Sequence, residues 1–266
     1  MNPNARRLRR ALALLALGGL LPLAGCSSGS KGGPKLTRAD EARIREARQQ
    51  AQTGPTWPPS AGAPMVGTES LIATATGQSV PVFSEQGAKT PVSQLSNPNE
   101  DGAPRVFLIK ARRGDWLQVL LPVRPNGSKG WIRVSDVAIS STVYRIRVEL
   151  SAHRITVVRG RDLIAQEPVG VGKANTPTPG GEYFIAELVQ PPNPNGAYGP
   201  YAYGLSGFSD VLKEFQGGNG LVGIHGTNEP GLLGQDVSFG CIRMSNAGIT
   251  KLASVLPLGT PVYITG

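Results

Sequence analysis

Ile224-His225-Gly226-Thr227, followed by Ser238-Phe239-Gly240-Cys241-Ile242-Arg243, is the stretch from which the rest of the chain is read. His225 and Cys241 stand 16 residues apart. A cysteine attacks as its thiolate, and a neighbouring imidazole can generate and stabilise that form. Gly240 leaves room beside the thiol for a substrate backbone. It also frees the main chain to aim amide N–H groups at an oxyanion. Arg243 lies two residues beyond Cys241, on the same side of an extended strand. A fixed guanidinium there suits a substrate carboxylate, which it can hold by paired hydrogen bonds. One Cys and one His by themselves fit a blander reading as well, a buried thiol and a surface imidazole.

Working outward, residues 143–266 have the texture of a β-rich domain. Val143 to Leu150 alternates apolar and basic residues, and Arg154 to Val158, Leu163 to Val171 and Glu182 to Val189 continue the strand pattern. Thr176-Pro177-Thr178-Pro179-Gly180-Gly181 is a rigid turn. Val211 to Phe215 predicts a short helix. Asn246 to Leu256 predicts another, capped by Ser245 or Asn246, and Pro261 to Ile264 predicts a closing strand. Tyr198, Tyr201, Tyr203 and Phe208 crowd into eleven residues. They read as a loop pinned to the surface, or as a lid over the cleft ahead of His225, with Tyr201 and Tyr203 as candidate substrate contacts. His153, the other histidine, follows Ser151-Ala152 at a strand turn and reads as structural or exposed. Two histidines and scattered acids offer no metal-ligand spacing, so neither a metal nor any other cofactor is expected.

Upstream, residues 64–140 predict a small barrel of short strands. Leu71 to Thr76, Val80 to Phe83, Trp116 to Leu121 and Gly130 to Val134 are runs punctuated by Gly114-Asp115 and Arg124-Pro125-Asn126-Gly127. Gly-Asp-Trp-Leu-Gln-Val at 114–119 and Gly-Trp-Ile at 130–132 resemble bacterial SH3-like domains, which accompany cell-wall enzymes and often bind wall peptides. Trp116 and Trp131 read first as core packing.

The N-terminus reads as an address. Arg6, Arg7, Arg9 and Arg10 precede an apolar stretch from Ala11 to Gly25, too short for a spanning helix and suited to a signal-peptide core. Leu23-Ala24-Gly25-Cys26 resembles the bacterial lipobox. Residues 1–25 are thus expected to be a lipoprotein signal peptide and Cys26 the lipidated first residue of an extracytoplasmic, membrane-anchored protein of the cell envelope. An uncleaved anchor is the alternative. Residues 26–63, rich in Gly, Ser, Pro and charge, read as a flexible tether. With Cys26 acylated, Cys241 has no partner for an intrachain disulfide.

Composition agrees. The 266 residues include 35 Gly and 23 Pro, about twice the usual share, which disfavours a helical bundle. The net charge is +9, but residues 63–266 hold 17 basic and 15 acidic groups. The excess sits in the leader and tether, where it can meet an anionic membrane surface. A nucleic-acid binder would carry it on the folded domain, so no nucleic-acid partner is expected.

Thr176-Pro177-Thr178-Pro179-Gly180, then His225-Gly226-Thr227, then Ser238-x-Gly240-Cys241-Ile242-Arg243, in this order, resemble the L,D-transpeptidase (YkuD-type) family over nearly all of residues 143–266. The resemblance implies a largely β catalytic domain with short helices that cross-links peptidoglycan stem peptides and releases terminal D-alanine. It makes Cys241 the nucleophile and His225 the proton acceptor and donor, with the Gly226 carbonyl orienting the imidazole and amides near Gly240 and Cys241 holding the oxyanion. Arg243 and Ser238 would shape the site or bind the stem peptide, and Thr227 joins them as a substrate-binding candidate. One position departs from the family pattern: Phe239 stands where many members have a second His. Two rivals remain on the sequence: an L,D-carboxypeptidase on the same scaffold and a non-catalytic wall-binding lipoprotein; a sortase shares the order His, Cys, Arg. The sortase motif Thr-Leu-x-Thr-Cys is missing. A papain-like peptidase would place Cys before His.

Overall fold

The computed structural model describes residues 69–214 and 218–266. The predicted signal peptide, the tether and Cys26 lie outside the described residues. Among the described residues, no helix is long and apolar enough to cross a membrane.

The fold is mainly β, as the composition predicts. Numbered in chain order, the first strands are β1 (Ser70–Ala75), β2 (Ser79–Val82), β3 (Ser93–Ser96), β4 (Val106–Arg113), β5 (Trp116–Leu120), β6 (Lys129–Arg133) and β7 (Val137–Thr142). Five of them form an antiparallel sheet in the order β6-β5-β4-β1-β7, and β2 pairs with β3 in a separate hairpin. Phe83 bridges to Trp131, which brings the hairpin round to β6. Inward-facing Ala73, Val80, Val82, Phe107, Leu117, Val119 and Ile132 make one core. Trp131 is buried, while Trp116 is partly exposed and meets Phe83 edge-on at 5.0 Å.

The second group begins immediately after Val143. Its strands are β8 (Tyr144–Glu149), β9 (Arg154–Arg159), β10 (Asp162–Pro168), β11 (Val171–Gly172), β12 (Gly181–Val189), β13 (Ala202–Phe208), β14 (Leu221–His225), β15 (Asp236–Ser238), β16 (Ile242–Arg243) and β17 (Pro261–Thr265). Helix α1 (Asn246–Ala253) precedes β17. Eight strands form one sheet in the order β10-β9-β8-β17-β12-β13-β14-β16. The β17–β8 and β14–β16 pairs are parallel and the others antiparallel. β11 and β15 form a small parallel pair. The alternation in β8 sends Ile146 and Val148 inward, and they join Ile155, Val157, Ile185, Leu205, Ile224, Ile242 and α1 residues Ile249 and Leu252 in a single core. Ser245 caps α1 by accepting from the Gly248 amide at 2.9 Å, as the sequence predicts.

Two local expectations fail. Val211–Glu214, the described part of the helix predicted over Val211–Phe215, makes bends instead. The Ser209 hydroxyl accepts from the Val211 and Leu212 amides, so the backbone is tied into a side-chain turn before a helix can start. The aromatic segment from Tyr201 onward is not a surface lid. Ala202–Phe208 is a central strand, almost wholly buried. Its glycines give it a loop-like sequence, yet at Gly207 the ring of Tyr183 occupies the space a Cβ would need.

The two groups share an apolar contact. On β12, Tyr183 and Ile185 face the main core, so Phe184 faces the opposite way. There it packs with Ile72, Val106, Leu108 and Leu120 of the first sheet and is 0% exposed. Polar ties flank it: Lys110 Nζ donates to both carboxylate oxygens of Glu182 at 2.6 and 2.8 Å, and Asn99 Nδ2 donates to Glu187 at 2.6 Å. A fully buried aromatic outweighs a partly exposed ion pair. Phe184→Ala should therefore cost about 3–5 kcal/mol and Lys110→Ala about 1 kcal/mol or less, measured by denaturant unfolding. Equal losses, or a larger one for Lys110→Ala, would contradict this ranking.

Candidate active site

Adjacent parallel strands bring His225 and Cys241 together. In the β14–β16 pair, Ile224 lies opposite Ile242 and His225 opposite Arg243. One step back along that register sets Cys241 beside Gly223. The Met244 amide donates to the His225 carbonyl at 2.9 Å, and Gly170 exchanges two 2.8 Å backbone bonds with Arg243 on the other side. The short strand β16 is thus held from both edges.

Before β16 the chain turns through Phe239 and Gly240. Gly240 has φ +121°, a conformation side chains rarely adopt. The Ser238 hydroxyl closes this turn: it donates to the Cys241 carbonyl at 2.5 Å and accepts from the Gly240 amide at 3.0 Å. Ser238 is therefore buried and committed to the backbone. Of its two expected roles, these bonds support the shaping of the site. The Gly240 amide is likewise spent, on Ser238.

His225 is 5% exposed, and its Nδ1 donates to the Gly226 carbonyl at 2.6 Å. That bond fixes the tautomer and leaves Nε2 as an acceptor. Burial lowers the imidazole pKa to about 4; the Gly226 carbonyl opposes the shift and the Arg243 charge adds to it. Burial raises the Cys241 thiol pKa, while the Gly223 amide and Arg243 act in the opposite direction. Both groups are therefore uncharged at neutral pH. Among the described residues, Cys241 is a free thiol.

Cys241, His225, Arg243, Ser238 and Gly240 line one cleft of about 110 Å³ with Phe239, Ala197, Tyr198, Ser209, Leu212, Gly220, Leu221 and Val222. Arg243 donates to Glu229 at 2.9 Å, so a carboxylate already steadies it. Phe239 is 49% exposed at the rim, where Lys173 Nζ sits 5.2 Å from its ring centroid.

Three expected site residues lie elsewhere. Tyr203 is 1% exposed and its hydroxyl donates to the Leu252 carbonyl at 2.8 Å, so it belongs to the core. Tyr201 packs against that core, and its carbonyl accepts from the Gly226 amide at 3.3 Å. Thr227 is buried; its amide donates to Asn246 Oδ1 at 2.8 Å and its hydroxyl accepts from the Glu229 amide at 3.0 Å. These hold the backbone around His225. The aromatic that does face the cleft is Tyr198, whose ring centroid lies 4.8 Å from that of His225. Burial is the main cause of its raised pKa. Asn246, which ties the start of α1 to the His225 turn, has only a helix-start signal in the sequence. His153, outside the cleft, pairs with Asp236 at 2.9 Å. No cluster of metal-ligating side chains occurs among the described residues.

The lowered imidazole pKa has a sign for stability. The unfolded chain binds a proton on this side chain near pH 6.5 and the folded chain only near pH 4. Folding is therefore disfavoured as the pH falls through that window. Wild type should lose about 2–3 kcal/mol more than His225→Gln between pH 7 and pH 4.5, by denaturant unfolding at both values. Equal losses would place His225 in water.

The second group of strands is similar in sequence to known proteins. The profile of the YkuD L,D-transpeptidase catalytic domain matches residues 143–264. A Bacillus licheniformis protein named L,D-transpeptidase YkuD is 36% identical over 155 residues, covering 56% of this chain and 86% of its own. Its Bacillus subtilis namesake is 39% identical over 121 residues, covering 46% and 65%. The L,D-transpeptidase structure from Mycobacterium smegmatis matches with 15% identity and a TM-score of 0.40, covering 60% and 90%. On the extent and identity of the Bacillus licheniformis match, the chain belongs to the YkuD family of L,D-transpeptidases.

Proposed function

We propose that the protein is a cysteine-dependent L,D-transpeptidase that cross-links peptidoglycan stem peptides through a thioester on Cys241. The observation that carries this reading is the shared cleft of Cys241 and His225, with His225 Nδ1 bound to Gly226 so that Nε2 is left to accept a proton.

Burial keeps the resting pair neutral. The thiol therefore passes its proton to His225 Nε2 as sulfur attacks the carbonyl carbon of the third-position diamino acid. The amide of Cys241, at the glycine turn, receives the oxyanion, because the Gly240 amide is already bonded. The C–N bond to D-alanine breaks, and the imidazolium returns its proton to the leaving amine. In the second half, an amine of a neighbouring stem attacks the thioester and loses a proton to His225. A C–N bond forms, the C–S bond breaks, and the thiolate is reprotonated. Arg243, steadied by Glu229, offers its remaining N–H groups to a stem-peptide carboxylate.

In this reading the lipobox-like Leu23-Ala24-Gly25-Cys26 supports export and a lipid anchor on Cys26, and the Gly-Asp-Trp and Gly-Trp-Ile motifs support an SH3-like role for the first sheet. A single acyl chain binds weakly, so a multiply acylated form is proposed.

The test uses Cys26→Ser protein, in which Cys241 is the sole thiol. This protein should incorporate no labelled fatty acid. With a purified tetrapeptide muropeptide it should release D-alanine and form cross-linked product. A carbapenem should add one drug mass to the peptide spanning Ser238–Arg243. Adding Cys241→Ala should abolish product and adduct, and His225→Ala should slow acylation by about 100-fold or more. Turnover by Cys241→Ala protein would refute the nucleophile. Shortened stems without cross-links would identify a carboxypeptidase, and wall binding without reaction a non-catalytic protein.

A further inference from the structure

The turn between β5 and β6 of the first sheet reaches into the second group and meets the backbone that walls the cleft. Two legs of chain form that wall. One leaves β13 through Phe208–Leu212, and the other returns into β14 through Asn219–Val222. Ser209, Leu212, Gly220, Leu221 and Val222 line the cleft.

A single guanidinium ties both legs. Arg124 Nη1 donates to the Ser209 carbonyl at 2.7 Å, and Nη2 donates to the carbonyls of Leu212 at 3.1 Å and Asn219 at 3.0 Å. Its plane also lies 4.8 Å from the centroid of the Phe208 ring. Asn126, two residues on, treats Phe208 as a strand partner would. Its Nδ2 donates to the Phe208 carbonyl at 2.7 Å, and its Oδ1 accepts from the Phe208 amide at 2.8 Å. Nδ2 also reaches Asp210 at 3.1 Å. The legs touch each other through the Ser209 amide and Gly220 carbonyl at 2.8 Å. Gly220, at φ +75°, lies where a Cβ would strike the Leu212 carbonyl and the guanidinium.

Three carbonyls aimed at one cation is a specific arrangement. A lysine is a point charge and cannot reproduce the fork. A surface turn needs no such commitment to a neighbouring group of strands. The wall it secures is largely apolar, through Leu212, Leu221 and Val222, with the Ser209 hydroxyl as a polar exception.

We propose that Arg124 and Asn126 are positioning residues for the cleft: the first sheet, through this turn, sets the shape of the wall formed by Ser209–Leu212 and Asn219–Val222, and so governs substrate affinity without touching substrate. The substrate class rests on the transpeptidase reading above. The shape of the wall does not.

The experiment compares full-length wild type, Arg124→Ala, Arg124→Lys and Asn126→Asp, the last of which removes the donor and keeps an acceptor. Amide hydrogen exchange in Ser209–Leu212 and Asn219–Val222 should accelerate at least tenfold in Arg124→Ala, with exchange in β8, β9 and β17 unchanged. KM for a tetrapeptide muropeptide should rise at least tenfold while kcat changes less than threefold. Arg124→Lys should fall between, and alkylation of Cys241 by iodoacetamide should keep its rate within twofold throughout. Unchanged exchange and KM in Arg124→Ala would overturn the proposal. Uniform acceleration across the whole sheet would do the same, because it would make Arg124 a general stability residue. If Arg124→Ala does not fold, the same criteria apply to Asn126→Asp. If wild type turns over no muropeptide, the transpeptidase reading fails while the exchange data still decide this one.

Discussion

The parallel pairing of β14 with β16 is the constraint on which the site depends. These strands are five and two residues long, and a two-residue strand has little stability of its own. It is held because Arg243 bonds to Gly170 on one side and His225 receives the Met244 amide on the other. The turn leading into it is closed by Ser238 and permitted by Gly240. His225 and Cys241 are therefore located by main-chain hydrogen bonds and buried packing, which fix position more firmly than mobile side chains can. Both groups pay for that burial in their acid–base properties. The imidazole loses basicity, the thiol loses acidity, and the pair rests without charge.

The same logic extends to the outer wall of the cleft. β13 and β14 belong to the central sheet, but Ser209–Leu212 and Asn219–Gly220 lie beyond the strand ends and are held from outside. The first sheet does this with Arg124 and Asn126, while Phe184 and the Lys110 and Asn99 contacts fix the two groups of strands against each other. Glu187 is buried in that contact, and burial raises its pKa. Asn99 supplies the hydrogen bond that a buried carboxyl needs.

The strands and the central residues were legible because they have local signals. Alternation marks β8, a serine marks the start of α1, and Gly240-Cys241 with His225-Gly226 is a dense chemical pattern. What the sequence hid was long-range. Tyr203-Gly204-Leu205-Ser206-Gly207-Phe208 looks like a loop. It is a buried strand because rings and carboxylates from β12 fill the spaces its glycines leave. That misreading put Tyr201 and Tyr203 in the cleft, where Tyr198 stands. Thr227 looks like a ligand for substrate, yet its hydroxyl closes a turn. Arg124-Pro125-Asn126-Gly127 reads as an exposed turn, and nothing within it reveals that its partners lie more than 80 residues away.

The most direct test of this account is the ionisation of Cys241, followed by thiolate ultraviolet absorbance against pH in Cys26→Ser protein, with Cys26→Ser/Cys241→Ala subtracted. A neutral pair predicts no thiolate through the neutral range and a single rise above the ordinary thiol value of about 8.5. A full thiolate signal already present near pH 6 would contradict it. That result would mean that Cys241 and His225 rest as an ion pair and that burial does not control the site.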